Sequence, residues 1–249
     1  MRRFKTDLHL HSVLSPCGDL SMSPENIINE AVKNKIEILA LTDHNTLRNI
    51  PAFLNKARKA GIFFIPGVEI QTSEDIHAVA LFPDWDTASR FQIKLDSALP
   101  PLKNDPDYFG DQVVVDEDEN IICFEEKALL NSIDWSFDYT LEIVKQEGGF
   151  CFPAHVDADI FSLYGQLGFI PPYLDIPALE VTYLCDIDDF KMKHPELKSK
   201  TLLKNSDAHY VPDIGRGYSF FWMNEPDFRE LILAFKQADG RRVEPFSRL

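Results

Sequence analysis

The chain has 249 residues, 45% apolar and 12% aromatic, enough for one large α/β domain or two small ones with a packed core. Its 25 Lys and Arg against 40 Asp and Glu give a formal charge of −15, which argues against a surface for long duplex nucleic acid and leaves short or mononucleotide substrates open. Four scattered cysteines form no Cys-x-x-Cys pair, the N-terminus lacks a signal-like apolar core, and no run approaches about 18 apolar residues, so a reduced, cytoplasmic protein without a membrane partner is expected.

Strand-like and helix-like segments alternate along the chain. A strand over Arg3–Leu8 is followed by Ser23-Pro24-Glu25, a cap with proline at the first helical position, and by Ile27, Ile28, Ala31 and Val32 as one apolar stripe. A buried strand over Ile36–Leu41 leads to a helix from about Asn49 to Ala60 that stops at Gly61. Ile62–Ile65 and His77–Phe82 read as strands, and Thr87–Leu99 as a helix. The rhythm breaks from about 100 to 135, an insertion read as an exposed β-hairpin of Val113–Val115 and Ile121–Phe124 around an acidic, solvated turn. It resumes with a helix over Tyr139–Glu147, strands over Phe150–Phe152, Ala178–Tyr183, Thr201–Asn205 and Tyr218–Met223, and a last helix from Pro226 carrying Phe228, Leu231, Ile232 and Phe235 on one face. Repeated β-then-α units favour a parallel sheet, open or closed into a barrel, with ligands at the carboxyl ends of its strands.

Six of the seven histidines fall in patterns suited to metal ligation. His9 and His11 stand two apart at the end of the first strand, where both imidazoles share a face and can converge on one divalent ion. Asp43 with His44, His155, and Asp207 with His209 also follow apolar strand-like runs, so they gather at the same end of the sheet. If Gln71–Asp75 turns back about Ser73, Glu69 faces His77 across a hairpin and the two share one metal edge, an ordinary cross-strand ion pair being the alternative. Asp19 lies in the loop after the first His pair and reads equally as a turn aspartate. Arg216, between glycines, can fork onto a phosphate or pair with Asp213. His194, without carboxylate context, reads as a surface residue.

Asp7-Leu8-His9-Leu10-His11, Thr42-Asp43-His44, Pro66-Gly67-Val68-Glu69, His77 before an apolar run, Pro153-Ala154-His155 and Ser206-Asp207-Ala208-His209 together resemble the PHP (polymerase and histidinol phosphatase) family, in family order over residues 4 to about 210. The resemblance implies a single domain over 1–249, a distorted (β/α)7 TIM-like barrel with the insertion at about 100–135. It also implies a cleft of two to three divalent ions (Zn, Mn or Fe) held by His9, His11, Asp19, His44, Glu69, His77, His155, Asp207 and His209. Asp43 and Asp7 would orient those ligands. The implied activity is hydrolysis of phosphate mono- or diesters by metal-activated water, with Glu69 bridging and His209 or His44 protonating the leaving group. The expected partner is a small phosphorylated substrate, a nucleotide or short oligonucleotide among the candidates, and no long duplex. The competing readings are an amidohydrolase-type metal hydrolase, whose barrel also opens on His-x-His, and a non-catalytic metal-binding module. The pattern of Asp207-x-His209, Asp43-His44 and Glu69 suits phosphoester chemistry better.

Overall fold

Strand β1 (Arg2–Asp7) divides its side chains between two faces, with Phe4 buried and Arg3 exposed. In this computed structural model, which describes residues 1–246, the chain continues through α1 (Pro24–Lys33), β2 (Ile38–Leu41), α2 (Ile50–Ala60) and β3 (Phe63–Gln71). Helix α1 begins as its sequence dictates: Ser23 accepts from the Asn26 amide and Pro24 occupies the first turn. Its buried stripe is Ile27, Ile28 and Ala31, whereas Val32 turns outward and is 49% exposed. Helix α2 stops at Gly61, whose φ of 74° is left-handed and closes the last turn.

Then come β4 (His77–Leu81), α3 (Trp85–Ala98), the short α4 (Pro106–Phe109), β5 (Val113–Val115) and β6 (Ile121–Phe124). They are followed by α5 (Phe137–Gln146), β7 (Phe150–Pro153), α6 (Leu163–Leu167), β8 (Ala178–Val181), α7 (Ile187–Lys193) and β9 (Thr201–Lys204). The described chain closes with β10 (Ser219–Met223), α8 (Phe228–Phe235) and β11 (Arg242–Pro245).

The result is a mixed α/β fold around a curled sheet. Seven strands pair in the order β11-β10-β1-β2-β3-β4-β7. Strands β1, β2 and β3 are parallel, but β4 runs antiparallel to β3 and β7, and β10 antiparallel to β1 and β11. A uniformly parallel sheet is therefore not what forms, because β3 and β4 are joined by a tight hairpin with no helix between them. Past β7, Val156 donates to the Glu180 carbonyl in β8, which pairs with β9. Past β9 the chain returns to the end of β1, where Leu10 and Ala208 bridge in parallel and the Asp207 amide donates to the His9 carbonyl at 2.8 Å.

Two expectations need correction. The β3–β4 register is Gln71↔His77, Ile70↔Ala78 and Glu69↔Val79, so Glu69 does not oppose His77. The turn is Thr72–Ile76, closed by a Thr72 to Ile76 hydrogen bond and by Asp75 at φ 59°, which centres it one residue later than Ser73. Nor is the hairpin of the insertion wholly exposed. β5 is buried because Asn49 at the head of α2 donates to the Val113 carbonyl and accepts from the Val115 amide; only β6 faces outward.

Helix α8 packs its aromatic face on the sheet, with the Phe235 ring 4.4 Å from Phe150 and 5.3 Å from Phe221. Among the described residues no helix is long and apolar enough to cross a membrane. Truncating Phe235, which is 1% exposed, leaves a cavity between α8 and the sheet. Phe235→Ala is expected to cost about 3–5 kcal/mol, read as a lowered urea midpoint with an unchanged slope.

Candidate metal centre

Glu69 lies near the carboxyl end of β3 and is 1% exposed. Its Oε1 is 3.2 Å from His9 Nε2, 2.9 Å from His77 Nδ1 and 3.3 Å from His155 Nε2. Its Oε2 is 3.4 Å from His11 Nε2 and 3.1 Å from His44 Nδ1. Each imidazole arrives from a strand end. His9 and His11 alternate with the buried Leu8 and Leu10 just past β1, and His44 follows β2, where it bridges in parallel to Glu69. His155 follows β7. His77 opens β4, as the diagonal neighbour of Glu69 on one face of the hairpin, a separation that long side chains span. Asp207 and His209 follow β9. Asp207 Oδ1 lies 3.5 Å from His9 Nε2 and 3.3 Å from His11 Nε2, and the His209 ring stacks on His11 at 4.2 Å. Three of these turns are non-glycine residues in left-handed conformation: Asn45 (φ 51°), His155 (φ 30°) and Asp207 (φ 46°).

The fit to a divalent ion rests on what these atoms lack. His9 Nε2, His11 Nε2 and His44 Nδ1 are buried and make no hydrogen bond, although each sits 3.1–3.4 Å from a Glu69 oxygen. Buried nitrogens that make no hydrogen bond yet crowd a carboxylate leave room for a cation to be shared between them. Ligand atoms at about 2.0–2.1 Å from one tetrahedral ion are themselves about 3.3 Å apart. Three donor sets have all their ligand atoms within 4.8 Å of one another: His9–His11–Glu69, His44–Glu69–His77 and His11–His44–His209. Imidazole nitrogens with carboxylate oxygens suit Zn, Mn or Fe.

Burial pushes the His11 imidazole down to about 4, with His209 adding to the effect, and drives His44 well below its ordinary value. Burial alone would raise Glu69, but His77, His9 and His44 hold its carboxyl well below the usual range. Burial also opposes the charged form of His9, yet the carboxylates of Glu180, Glu69 and Asp207 outweigh it and hold this imidazole well above its ordinary value.

Behind the ligands lies a layer that sequence reading only partly found. Asp43 accepts from the Ser12 amide and hydroxyl and from the Ser15 hydroxyl, while Ser15 Oγ is 3.0 Å from His11 Nδ1 and accepts from the His44 amide. Asp7 accepts from the Ser206 and Gly215 amides, and burial pushes it up to about 6. Glu180 was missed. It is 2% exposed, its Oε2 is 2.8 Å from His9 Nδ1, and it accepts from the His155 amide and from Asn205 Nδ2. An acid inside the apolar run Ala178–Val181 was the available signal.

Two expected site residues are not brought to the cluster. Asp19 is exposed, and its carboxylate accepts from the Ser21 amide as a turn aspartate. Arg216 faces backbone, donating to the Ser206 and Asp207 carbonyls and pairing with Asp213 at 2.9 Å. The arginine therefore positions the Asp207 peptide and does not enter the cleft. His194 is packed between Tyr164 and Phe190 at ring distances of 4.2 and 4.6 Å, away from the site.

A model of the PHP domain matches residues 7–170. The chain belongs to the PHP domain family. The 5′-3′ exoribonuclease Rnm of Salmonella typhimurium is 29% identical to this PHP protein over 186 residues, 67% of this chain and 56% of the relative. Among solved structures, the lesion-specific endonuclease PfuEndoQ of Pyrococcus furiosus matches 97% of this chain and 58% of its own, with a TM-score of 0.73 at 19% identity. Endonuclease Q in complex with a 27-mer duplex carrying an abasic lesion matches with a TM-score of 0.72 at 20% identity. The chain thus spans little more than half the length of these relatives.

Rnm is named an exoribonuclease and Endonuclease Q is solved on a 27-mer duplex, which corrects the expectation of a small substrate and no long nucleic acid by removing its ground. That expectation rested on formal charge summed over the whole chain. Charge counted that way includes carboxylates that face cations in a metal cleft, and it says nothing of the local field where a strand lies.

Removing the Glu180 carboxylate frees the His9 ring and the His155 backbone together. Glu180→Ala is expected to lower divalent-metal affinity about 10–100-fold in isothermal titration with Zn or Mn. Unaltered affinity in a folded variant would remove Glu180 from this role.

Proposed function

We propose that this PHP protein is a metal-dependent phosphoric ester hydrolase that cleaves phosphodiester bonds in nucleic acid strands. The observation that carries the reading is the convergence of three unpartnered imidazole nitrogens on the Glu69 carboxylate. Glu69 and His44 line a cleft of about 420 Å³ together with His77, His155, Asp207 and His209, and His9 and His11 lie buried behind Glu69. Divalent ions bound there would supply positive charge to the phosphoryl oxygens and lower the pKa of water toward about 7. In this reading His9, His11, His44, Glu69, His77, His155 and Asp207 would hold the ions, with the two oxygens of Glu69 facing different histidines, and His209 is kept for proton transfer.

The chain's own residues supply the remainder. His209 stands at the cleft mouth, its side chain 25% exposed and its Nδ1 3.0 Å from the Asp207 carbonyl. A backbone acceptor at Nδ1 leaves Nε2 free to exchange a proton with the leaving oxygen. His44, its side chain 6% exposed and enclosed by the other ligands, is the poorer candidate for that role. Leu130, Ile160 and Phe161 give the cleft an apolar wall beside the ligand cluster. Nucleic acid strands are proposed as the substrate class because relatives on both lines, Rnm and Endonuclease Q, are named as nucleases.

The reading is tested with bis(p-nitrophenyl) phosphate, labelled RNA and DNA oligonucleotides, and an amide panel. Chelation should abolish turnover of the phosphate esters, and added Zn, Mn or Fe should restore it. His209→Gln is expected to slow oligonucleotide cleavage about 10²–10⁴-fold. It should slow the p-nitrophenyl ester much less, because that leaving group needs no proton. Equal losses on both substrates would remove His209 as proton donor. Turnover of amides without phosphate esters would reject the hydrolase class proposed here.

A further inference from the structure

The outward face of β1, β10 and β11 carries a ladder of cations laid on aromatic rings. Arg3 and Lys5 on β1 stand opposite Trp222 and Phe220 on β10, which stand opposite Arg242 and Glu244 on β11. Lys5 Nζ lies 3.8 Å from the Tyr218 ring centre, the Arg3 guanidinium 4.4 Å from Phe220 and that of Arg242 4.3 Å from Trp222. The intervening residues Phe4, Phe221 and Met223 point the other way and are buried, so the ladder is the solvent side of an alternating sheet. Phe220 and Trp222 are half-buried and belong to neither buried core. Two residues before Tyr218 in the chain, Arg216 lies 4.4 Å over Tyr183 and donates to the backbone carbonyl of Asp207, whose side chain lines the cleft.

The charge of this face is out of proportion to the rest of the molecule. A chain with 25 basic and 40 acidic residues presents here Arg3, Lys5, whose ammonium also donates to the Asn34 carbonyl, and Arg242, against Glu244, which pairs with Arg242 at 3.0 Å, and Glu37 at the edge, which pairs with Arg2. Among the described residues Arg3 and Lys5 make no ion pair.

We propose that this face is a docking track for single-stranded nucleic acid leading toward the metal cleft. Phosphates meet the cations, and bases stack on the guanidinium planes that cap the rings, a combination that holds strands with little regard to sequence. Charge complementarity selects this occupant over an apolar protein partner, because the rings are already capped by cations. The track deepens the strand-cleaving reading of the cleft and rests on it for its purpose. Its own readout is strand affinity.

The test uses chelated protein, which binds without cutting, and a fluorescein-labelled strand of about twenty nucleotides. The double variant Arg3→Ser/Arg242→Ser is expected to bind about tenfold or more weakly, and each lost phosphate contact should reduce the salt slope by about 0.7. Turnover of bis(p-nitrophenyl) phosphate by the metal-loaded variant should stay unchanged. Unaltered affinity and slope overturn the track. In parallel, photo-crosslinking the wild-type protein to a 4-thiouridine strand should give adducts at Tyr218, Phe220 or Trp222. Adducts confined to other surfaces overturn it even if the variant fails to fold. Absence of diester turnover in the wild-type protein overturns the cleft reading, a result separate from strand affinity.

Discussion

Five imidazoles close on one carboxylate, Glu69, and the fold is organised around meeting that carboxylate's needs. A charge removed from water at 1% exposure costs several kcal/mol unless partners replace its hydration. Those partners come from the ends of β1, β2 and β7 and from the head of β4, so no single element contains the site. Any rearrangement that withdraws one strand end leaves a buried ion short of a partner. That requirement ties the curvature of the sheet to the chemistry of its rim.

The supporting acids bind distant parts of the chain as well as orienting ligands. Asp7, at the end of the first strand, holds the Ser206 and Gly215 amides some two hundred residues later. Glu180 joins His9 to the β7 end through His155 and to the β9 end through Asn205. Asp43 gathers Ser12 and Ser15 beneath His11 and His44. The same hydrogen bonds therefore close the curled sheet and aim the imidazoles. A substitution in this layer should act on stability and on metal affinity together.

Much of this was legible in the sequence because strand geometry is local. His9 and His11 share a face through the two-residue period of a strand, and apolar runs before His44, His155 and Asp207 mark the strand ends they occupy. The hairpin was harder. Its register depends on whether Asp75 adopts a left-handed turn, which composition does not dictate, so Glu69 and His77 emerged as diagonal and not opposed neighbours. Glu180 was hidden because a lone acid in an apolar strand gains meaning only once His9 lies beside it, 171 residues away in the chain. Arg216 and Asp19 carried the right chemistry in the right region. Their side-chain directions are set by nearby backbone groups that no spacing rule reports.

The left-handed turns at Asn45, His155 and Asp207 give the centre a mechanical character. Each places a side-chain-bearing residue where glycine is the easy choice, at a cost of roughly 1–2 kcal/mol. None of these positions can relax without moving a ligand, because His155 and Asp207 are among the clustered residues and Asn45 adjoins His44. The rim is thus a spring held shut by the contacts it carries, so the backbone at these three corners and the ligand positions are set together.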